Sequence, residues 1–252
     1  YPDVEYIIID GGSNDDSIQY IKQFSSKIDY WVSEPDRGIY HAMNKGIAAS
    51  SGEYCLFLNS GDILNNKHVL FNVAKECSGE DFIIGRVRYI NTGQLSEYPL
   101  NFTMKLFFEK SIPHPATFIK RTIFEELLYD ESLKIVSDWK LFIETIIMRN
   151  ASCKNVNEVV ADFDSTGISS INKSLVEDER LRVLTSILPP RVYEDYVSLV
   201  SGEGYKLSYY DRFYIKLRDY QYGKWIYTLS VFLMIIVALV RPGAVFVKNF
   251  PL

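Results

Sequence analysis

The chain has 252 residues, 47% apolar and 23% charged, a globular balance that excludes disordered and collagen-like architectures. A net charge of −5 argues against a general binder of nucleic-acid backbones. Three cysteines (Cys55, Cys77 and Cys153) are odd in number and lack metal-ligand spacing, which argues against a disulfide framework and points to a reducing compartment.

Taken in chain order, residues 4–10 form a β-rich apolar run that ends in Asp10-Gly11-Gly12-Ser13, a turn signal. An amphipathic stretch follows from Asp16 to Phe24, then an alternating strand at 28–33. Gly38 to Ala49 has helical period, with Ile39, Met43 and Ile47 on one face. A strand at 54–58 closes on Asn59-Ser60-Gly61-Asp62, and a helix-like segment near 66–76 leads to strands at 82–84 and 86–90. This alternation predicts parallel βαβ units, whose ligands bind at the carboxyl ends of the strands. Asp10 and Asn59–Asp62 both fall there. Further on, 117–119 and 156–163 read as strands and 139–149 as a helix. From about 173 the pattern is helical, broken by Pro189-Pro190. The opening strand comes so early that a first strand and helix are expected to be missing.

Several turn and helix-start residues have both a structural and a chemical reading. Asp10 either shapes a Gly-rich turn or presents a carboxylate to a base or a sugar hydroxyl. Asn59–Asp62 is either a turn or a set of oxygen ligands for a hard cation carrying a diphosphate. Arg37, in Glu34-Pro35-Asp36-Arg37-Gly38, belongs to an exposed capped loop or helps to cradle a diphosphate beside the helix bearing Asn44. Ser137-Asp138-Trp139 opens a helix, so Asp138 or Ser137 is an N-cap, or Asp138 is a general base. His114, between Pro113 and Pro115, fits either packing or substrate contact.

In this order the segments resemble the family 2 inverting glycosyltransferases with the GT-A fold. The carrying residues are Glu5–Asp15, Ser33–Gly46, Phe57–Asp62, His114–Phe118 and Ser137-Asp138-Trp139, with Phe163-Asp164 and Gly167-Ile168-Ser169 toward the end. The resemblance implies an α/β fold with a Rossmann-like, mostly parallel central sheet flanked by helices. It places a nucleotide-sugar transferase domain at 1–170 and leaves a helical extension at 171–252. It implies sugar transfer from a UDP- or GDP-type donor to a glycan or lipid-linked acceptor hydroxyl, with inversion. Asp138 takes the place of the base and Asp62 that of the metal ligand for Mg²⁺ or Mn²⁺. Asp10, Gly12, Ser13, Arg37, Asn44, Asn59 and Ser60 take donor-side places, and His114 and Trp139 acceptor-side places. The sequence departs from the family pattern at Gly11, where a second Asp is usual, and at Asn59 and Gly61, which leave Asp62 as the one carboxylate of its motif. No Gln-x-x-Arg-Trp motif is present, which argues against a processive synthase. The degenerate metal motif keeps open an alternative, a noncatalytic membrane-docked glycan or nucleotide-sugar binding protein of the same fold.

Residues 201–252 hold seven Lys/Arg against three Asp/Glu, so an acidic body of net −9 carries a tail of net +4. Within the tail, 225–240 is an uncharged run of sixteen residues. As a helix it would be about 24 Å long, short of the ~30 Å hydrocarbon core. A monotopic anchor is the favoured reading, with Trp225 and Tyr227 at headgroup level and basic neighbours on anionic lipid. The expected setting is the cytoplasmic face of a bacterial membrane, in surface polysaccharide or lipid-linked glycan assembly, with self-association allowed and nucleic acid excluded.

Overall fold

The computed structural model describes residues 1–97, 99, 101–167 and 172–201. Strand β1 (Ile7–Asp10) pairs in parallel with β2 (Tyr30–Ser33), and helix α1 (Ser17–Gln23) lies between them in sequence. This is the βαβ start that the alternation predicts. Both strands end at the same level, because Asp10 faces Ser33 across the pair. Helix α2 (Ile39–Ala49) follows and buries Tyr40, Met43 and Ile47. Ile39 is exposed rather than buried: the inward stripe starts one residue later, at Tyr40.

A second sheet of five strands has the order β3-β6-β5-β7-β4. Its members are β3 (Tyr54–Cys55), β4 (Ile63–Leu64), β5 (Phe82–Tyr89), β6 (Thr117–Lys120) and β7 (Cys153–Phe163). The α/β class stands, but the sheet is mixed rather than mostly parallel. Only β5 and β7 pair in parallel in it, while β3–β6, β5–β6 and β4–β7 are antiparallel. Strand–helix alternation does not encode direction. The excursion from 90 to 116 returns the chain beside β5 running the opposite way, and the short β4 lies back along β7. Strand β3 is also shorter than the 54–58 run, since Leu56–Leu58 leave the ladder.

The two strands expected at 82–84 and 86–90 are one strand with a register break at Gly85. A Cβ at Gly85 would lie 2.5 Å from Val160 Cγ2 and 3.0 Å from the Glu158 carbonyl oxygen, so the backbones approach here as only glycine allows. Alternate residues of β5 feed two cores. Phe82 and Ile84 pack with α2 and with Trp139, Leu141 and Phe142, whereas Ile83 and Val87 pack with Val69 and Val73 of α3 (Val69–Glu76).

Helices α4 (Met104–Glu109) and α5 (Ile123–Glu126) precede α6 (Ser137–Phe142), which runs into a wider π-type turn at Ile143–Ile147. Helix α7 (Lys173–Ile187) and α8 (Pro190–Ser201) realise the helical pattern from 173 and its break at Pro189-Pro190. One compact unit runs from Tyr1 to Tyr196 and so takes in α7. The reason is packing: Val183, Leu184 and Leu188 enter the same core as Trp139. Among the described residues no helix is long and apolar enough to cross a membrane. The 225–240 segment and Ile168-Ser169 lie outside the described residues.

Candidate active site

The end of β1 is organised by Asp10, only 9% exposed. Its Oδ2 accepts from the Gly12 and Ser13 amides at 3.1 and 3.0 Å and from the Ser33 hydroxyl at 2.7 Å, and its Oδ1 accepts from the Ser13 hydroxyl at 2.5 Å. The Ser13 and Ser33 hydroxyls outweigh burial and hold its pKa at about 2, so it stays ionised. Gly12, at φ +86°, makes the turn that aims these amides back at the carboxylate. The space a side chain at Gly11 would fill is taken by the Asp36 carboxylate. Asp36 therefore brings a second acid to Asp10's turn from the loop after β2, although the sequence has glycine at 11.

Arg37 pairs with Glu131, and Asn44 is spent on the same loop. Asn44 Nδ2 donates to the Tyr129 carbonyl at 2.9 Å and to Glu131 Oε1 at 3.0 Å, while its Oδ1 accepts from the Tyr129 amide at 3.1 Å. These two residues thus clamp the segment 129–131 onto α2. The Arg37 side chain remains 69% exposed.

That clamp sets the surroundings of Asp138, which lies half-buried in the first turn of α6. The N-cap position of α6 is Val136, with no side-chain cap, so neither Asp138 nor Ser137 performs the capping role. Asp138 instead faces Tyr40, whose hydroxyl is 3.0 Å from Asp138 Oδ1 and 2.5 Å from the Ile135 carbonyl. Ser137 accepts the Asp130 amide at 2.6 Å, and Asp130 pairs with Lys140 at 2.7 Å. His114 is buried, stacked on Phe57 at 5.5 Å, with Nε2 3.1 Å from the Tyr129 hydroxyl. Burial pushes its pKa down and the Asp138 charge only partly offsets this, so the imidazole is neutral. Trp139 is 2% exposed and donates Nε1 to the Phe107 carbonyl at 2.8 Å.

The third group is the turn Asn59–Asp62. The Asp62 amide donates to the Asn59 carbonyl at 3.0 Å, and Asp62 Oδ2 accepts the Asn59 amide at 3.2 Å. Gly61 is at φ +99°, and a Cβ on it would lie 3.0 Å from Asp164 Oδ2. The antiparallel register Ile63↔Asp162 explains the meeting: it sets the residues before β4 against those that end β7. The Asp164 amide donates to Asp62 Oδ1 at 3.3 Å. Burial raises the pKa of Asp62, and the Asp164 charge adds to the rise. Among the described residues no three His, Cys, Asp or Glu side chains form a metal cage. Two juxtaposed carboxylates with free lone pairs nonetheless match the donor chemistry of a hydrated Mg²⁺ or Mn²⁺ carrying a diphosphate.

The structure thus joins Asp10, Ser13 and Ser33 in one network, and Tyr40, His114, Tyr129 and Asp138 in another, while Trp139 packs in the same core as Tyr40 and Tyr129. Among the described residues Ser60 makes no hydrogen bond to either network. Sequence reasoning gave no role to Tyr40, Asp36, Glu131 or Asp164. Asp164 had a signal, because it directly follows an apolar strand, as Asp10 ends one.

The profile described as Glycosyl transferase family 2 matches residues 1–130. An uncharacterized glycosyltransferase of Mycobacterium tuberculosis is 30% identical over 177 residues, covering 66% of each chain. The poly(ribitol-phosphate) β-N-acetylglucosaminyltransferase TarP of Staphylococcus aureus is 30% identical over 197 residues, 68% of this chain and 58% of TarP. This chain thus spans just under two thirds of the mycobacterial relative. The mannosyltransferase PcManGT of Pyrobaculum calidifontis, solved with GDP-Man and Mn²⁺, shares the fold at TM-score 0.51 and 12% identity, over 91% of this chain and 75% of its own.

Proposed function

Because the chain belongs to glycosyl transferase family 2, we propose that it moves a sugar from a nucleotide-sugar to an acceptor hydroxyl with inversion, using Asp138 as base. Asp138 takes the hydroxyl proton, and the freed oxygen attacks the anomeric carbon from the face opposite the leaving group. The bond from that carbon to the diphosphate oxygen breaks, and the diphosphate leaves with the electron pair. The observation that carries this reading is the Tyr40–Asp138 contact. It leaves a carboxylate at a helix start oriented by a buried phenol and unused as a cap. His114, neutral and buried beside Tyr129, shapes the acceptor side without adding charge.

On the donor side, Asp10 with Ser13 and Asp36 would meet the nucleoside, and Gly12, Arg37, Asn44, Asn59 and Ser60 would border the phosphates. Asp62 and Asp164 would hold Mg²⁺ or Mn²⁺, which would neutralise charge on the departing diphosphate. The Mn²⁺ bound to the mannosyltransferase PcManGT supports this cofactor class. The noncatalytic alternative rested on a single carboxylate at the metal motif; Asp164, whose amide donates to Asp62 Oδ1, would offer a second. The donor is of UDP or GDP type. The acceptor class is a surface polysaccharide or lipid-linked glycan, in keeping with what TarP's name says of its own substrate. The uncharged run 225–240 with its basic flanks supports peripheral docking on the inner membrane face.

A hydrolysis screen of UDP- and GDP-sugars with Mg²⁺ or Mn²⁺ tests the reaction, and free sugar from at least one donor is expected. No release from any donor would favour the binding-protein reading. Flotation with anionic liposomes, comparing the whole chain with one ending at Gly204, tests the docking.

A further inference from the structure

Arg180 lies on α7, beyond every segment that carries the family resemblance. Its guanidinium carbon is 4.9 Å from the centroid of the Trp139 ring, a cation–π distance. The ring beneath it is fixed by burial and by the Phe107 hydrogen bond. One residue earlier, Glu179 is 1% exposed and accepts the amides of Lys134, Ile135 and Val136 at 2.8, 3.0 and 3.2 Å. Those amides lead directly into α6. Helix α7 and the segment that leads to Asp138 are therefore tied together, and Arg180 is held over Trp139, the residue that follows Asp138.

Arg180 differs from other arginines of the fold. Arg37, Arg88, Arg149 and Arg182 each lie against a carboxylate: Glu131, Asp162, Glu126 and Glu179. The Arg180 Nε is buried and has no hydrogen-bond partner among the described residues. An unpaired buried donor is costly, more so on a cation, and such a group asks for a missing acceptor. Burial lowers the Arg180 pKa while the Asp138 charge works the other way, so the two side chains sense each other. A guanidinium stays charged under these conditions, and its planar fork matches a phosphate.

We propose that Arg180, stacked on Trp139 beside Asp138, is an anion-binding residue that takes a phosphoryl oxygen of a substrate. This rests on the reading of Asp138 as the base of a glycosyl transfer. The phosphate belongs either to the donor's diphosphate or to a phosphate-bearing acceptor.

The test uses the full 252-residue chain, with Arg180→Met, which keeps an apolar stem over Trp139, and Arg180→Lys, which keeps the charge but loses the fork. Calorimetry would measure UDP, GDP and glycerol 3-phosphate as probes, with uridine and guanosine as uncharged controls, beside melting temperatures. Arg180→Met should weaken a phosphate probe about tenfold or more, the scale of a lost charge-assisted hydrogen bond. Its Tm should be unchanged or raised, since an unpaired buried donor is gone. Weakening confined to UDP or GDP assigns the donor diphosphate, and weakening confined to glycerol 3-phosphate assigns an acceptor phosphate. If Arg180→Met melts early, Arg180→Lys decides: weaker binding at the parental Tm supports the assignment, and parental binding overturns it. Equal affinities in all three proteins, or a parent that binds no probe, also overturn it. A parent that hydrolyses nucleotide-sugars yet binds phosphate equally without Arg180 sinks this assignment alone and leaves the glycosyltransferase reading standing.

Discussion

The Tyr40 hydroxyl, 3.0 Å from Asp138 Oδ1, ties the first turn of α2 to the first turn of α6 across 98 residues of chain. Burial, reinforced by the Asp138 charge, lifts the Tyr40 pKa well above its ordinary value, so the phenol keeps its one proton, which Asp138 Oδ1 shares with the nearer Ile135 carbonyl. The hydrogen bond fixes the carboxylate without consuming it.

Asp138→Asn keeps the shape and the Tyr40 contact but cannot accept a proton. Turnover should fall by about 10²–10⁴, with nucleotide-diphosphate affinity and Tm nearly unchanged. Tyr40→Phe should cost about tenfold in kcat, the scale of one net hydrogen bond. Steady-state kinetics beside calorimetry checks both. Near-normal transfer by Asp138→Asn would remove it from the base role.

The Asp164 charge raises the pKa of Asp62, and a divalent cation held by both carboxylates, as proposed, would relieve that repulsion. UDP or GDP, whichever binds, should bind more tightly with Mn²⁺ than with EDTA. Asp62→Ala should abolish most of the difference, and Asp164→Asn a substantial part. Calorimetry giving the same affinity with and without Mn²⁺ would take the metal out of this site.

Asp10 predicts an acid-side stability change with a definite sign. Its folded pKa of about 2 lies below the ordinary carboxylate value. The ionised form therefore stabilises the fold fully above roughly pH 4, and that stability is lost as pH falls through about 2. Ser33→Ala removes one donor to Asp10 and should raise its pKa. Urea unfolding from pH 5 to 2 should show the gap between parent and variant narrowing as pH falls. A pH-independent gap would mean that Ser33 acts through packing alone.

How far the sequence reaches can be judged at particular residues. Helix α2 was legible because its apolar period is local, yet Tyr40, which proves to orient Asp138, reads as one more apolar position. Asp138 was legible as a helix-start acid. That Val136 holds the N-cap position depends on three amides being taken by Glu179, which is more than 40 residues away. The partnership of Asp62 with Asp164 follows from the β4–β7 register, a pairing of about 100 residues' separation that no local pattern encodes. Sheet direction was lost for the same reason: β6 reads as a strand, but only its long-range partners make it antiparallel, and the two-residue β4 is too short to read as a strand at all. Asp36 beside Gly11 is a substitution in space rather than in sequence, invisible until the β2 loop is placed.

Glu179 carries the last prediction. A buried carboxylate that accepts three successive backbone amides gains about 1.5–3 kcal/mol from each charge-assisted bond before the cost of its own desolvation. Glu179→Ala would leave the Lys134, Ile135 and Val136 amides facing an apolar gap, so a loss of about 3–5 kcal/mol in unfolding free energy is expected. Glu179→Gln keeps one oxygen acceptor and loses the charge, and should fall between parent and alanine variant. Arg182 contributes little to the difference, because its ion pair with Glu179 is 3.5 Å long and its side chain is 61% exposed. Because the 134–136 segment leads into Asp138, the Gln variant should also lower kcat while KM for the nucleotide-sugar stays near the parental value. Chemical denaturation and steady-state kinetics on the same preparations separate the two effects. A Gln variant with full kcat and a lowered midpoint would restrict Glu179 to holding α7 against the body of the fold.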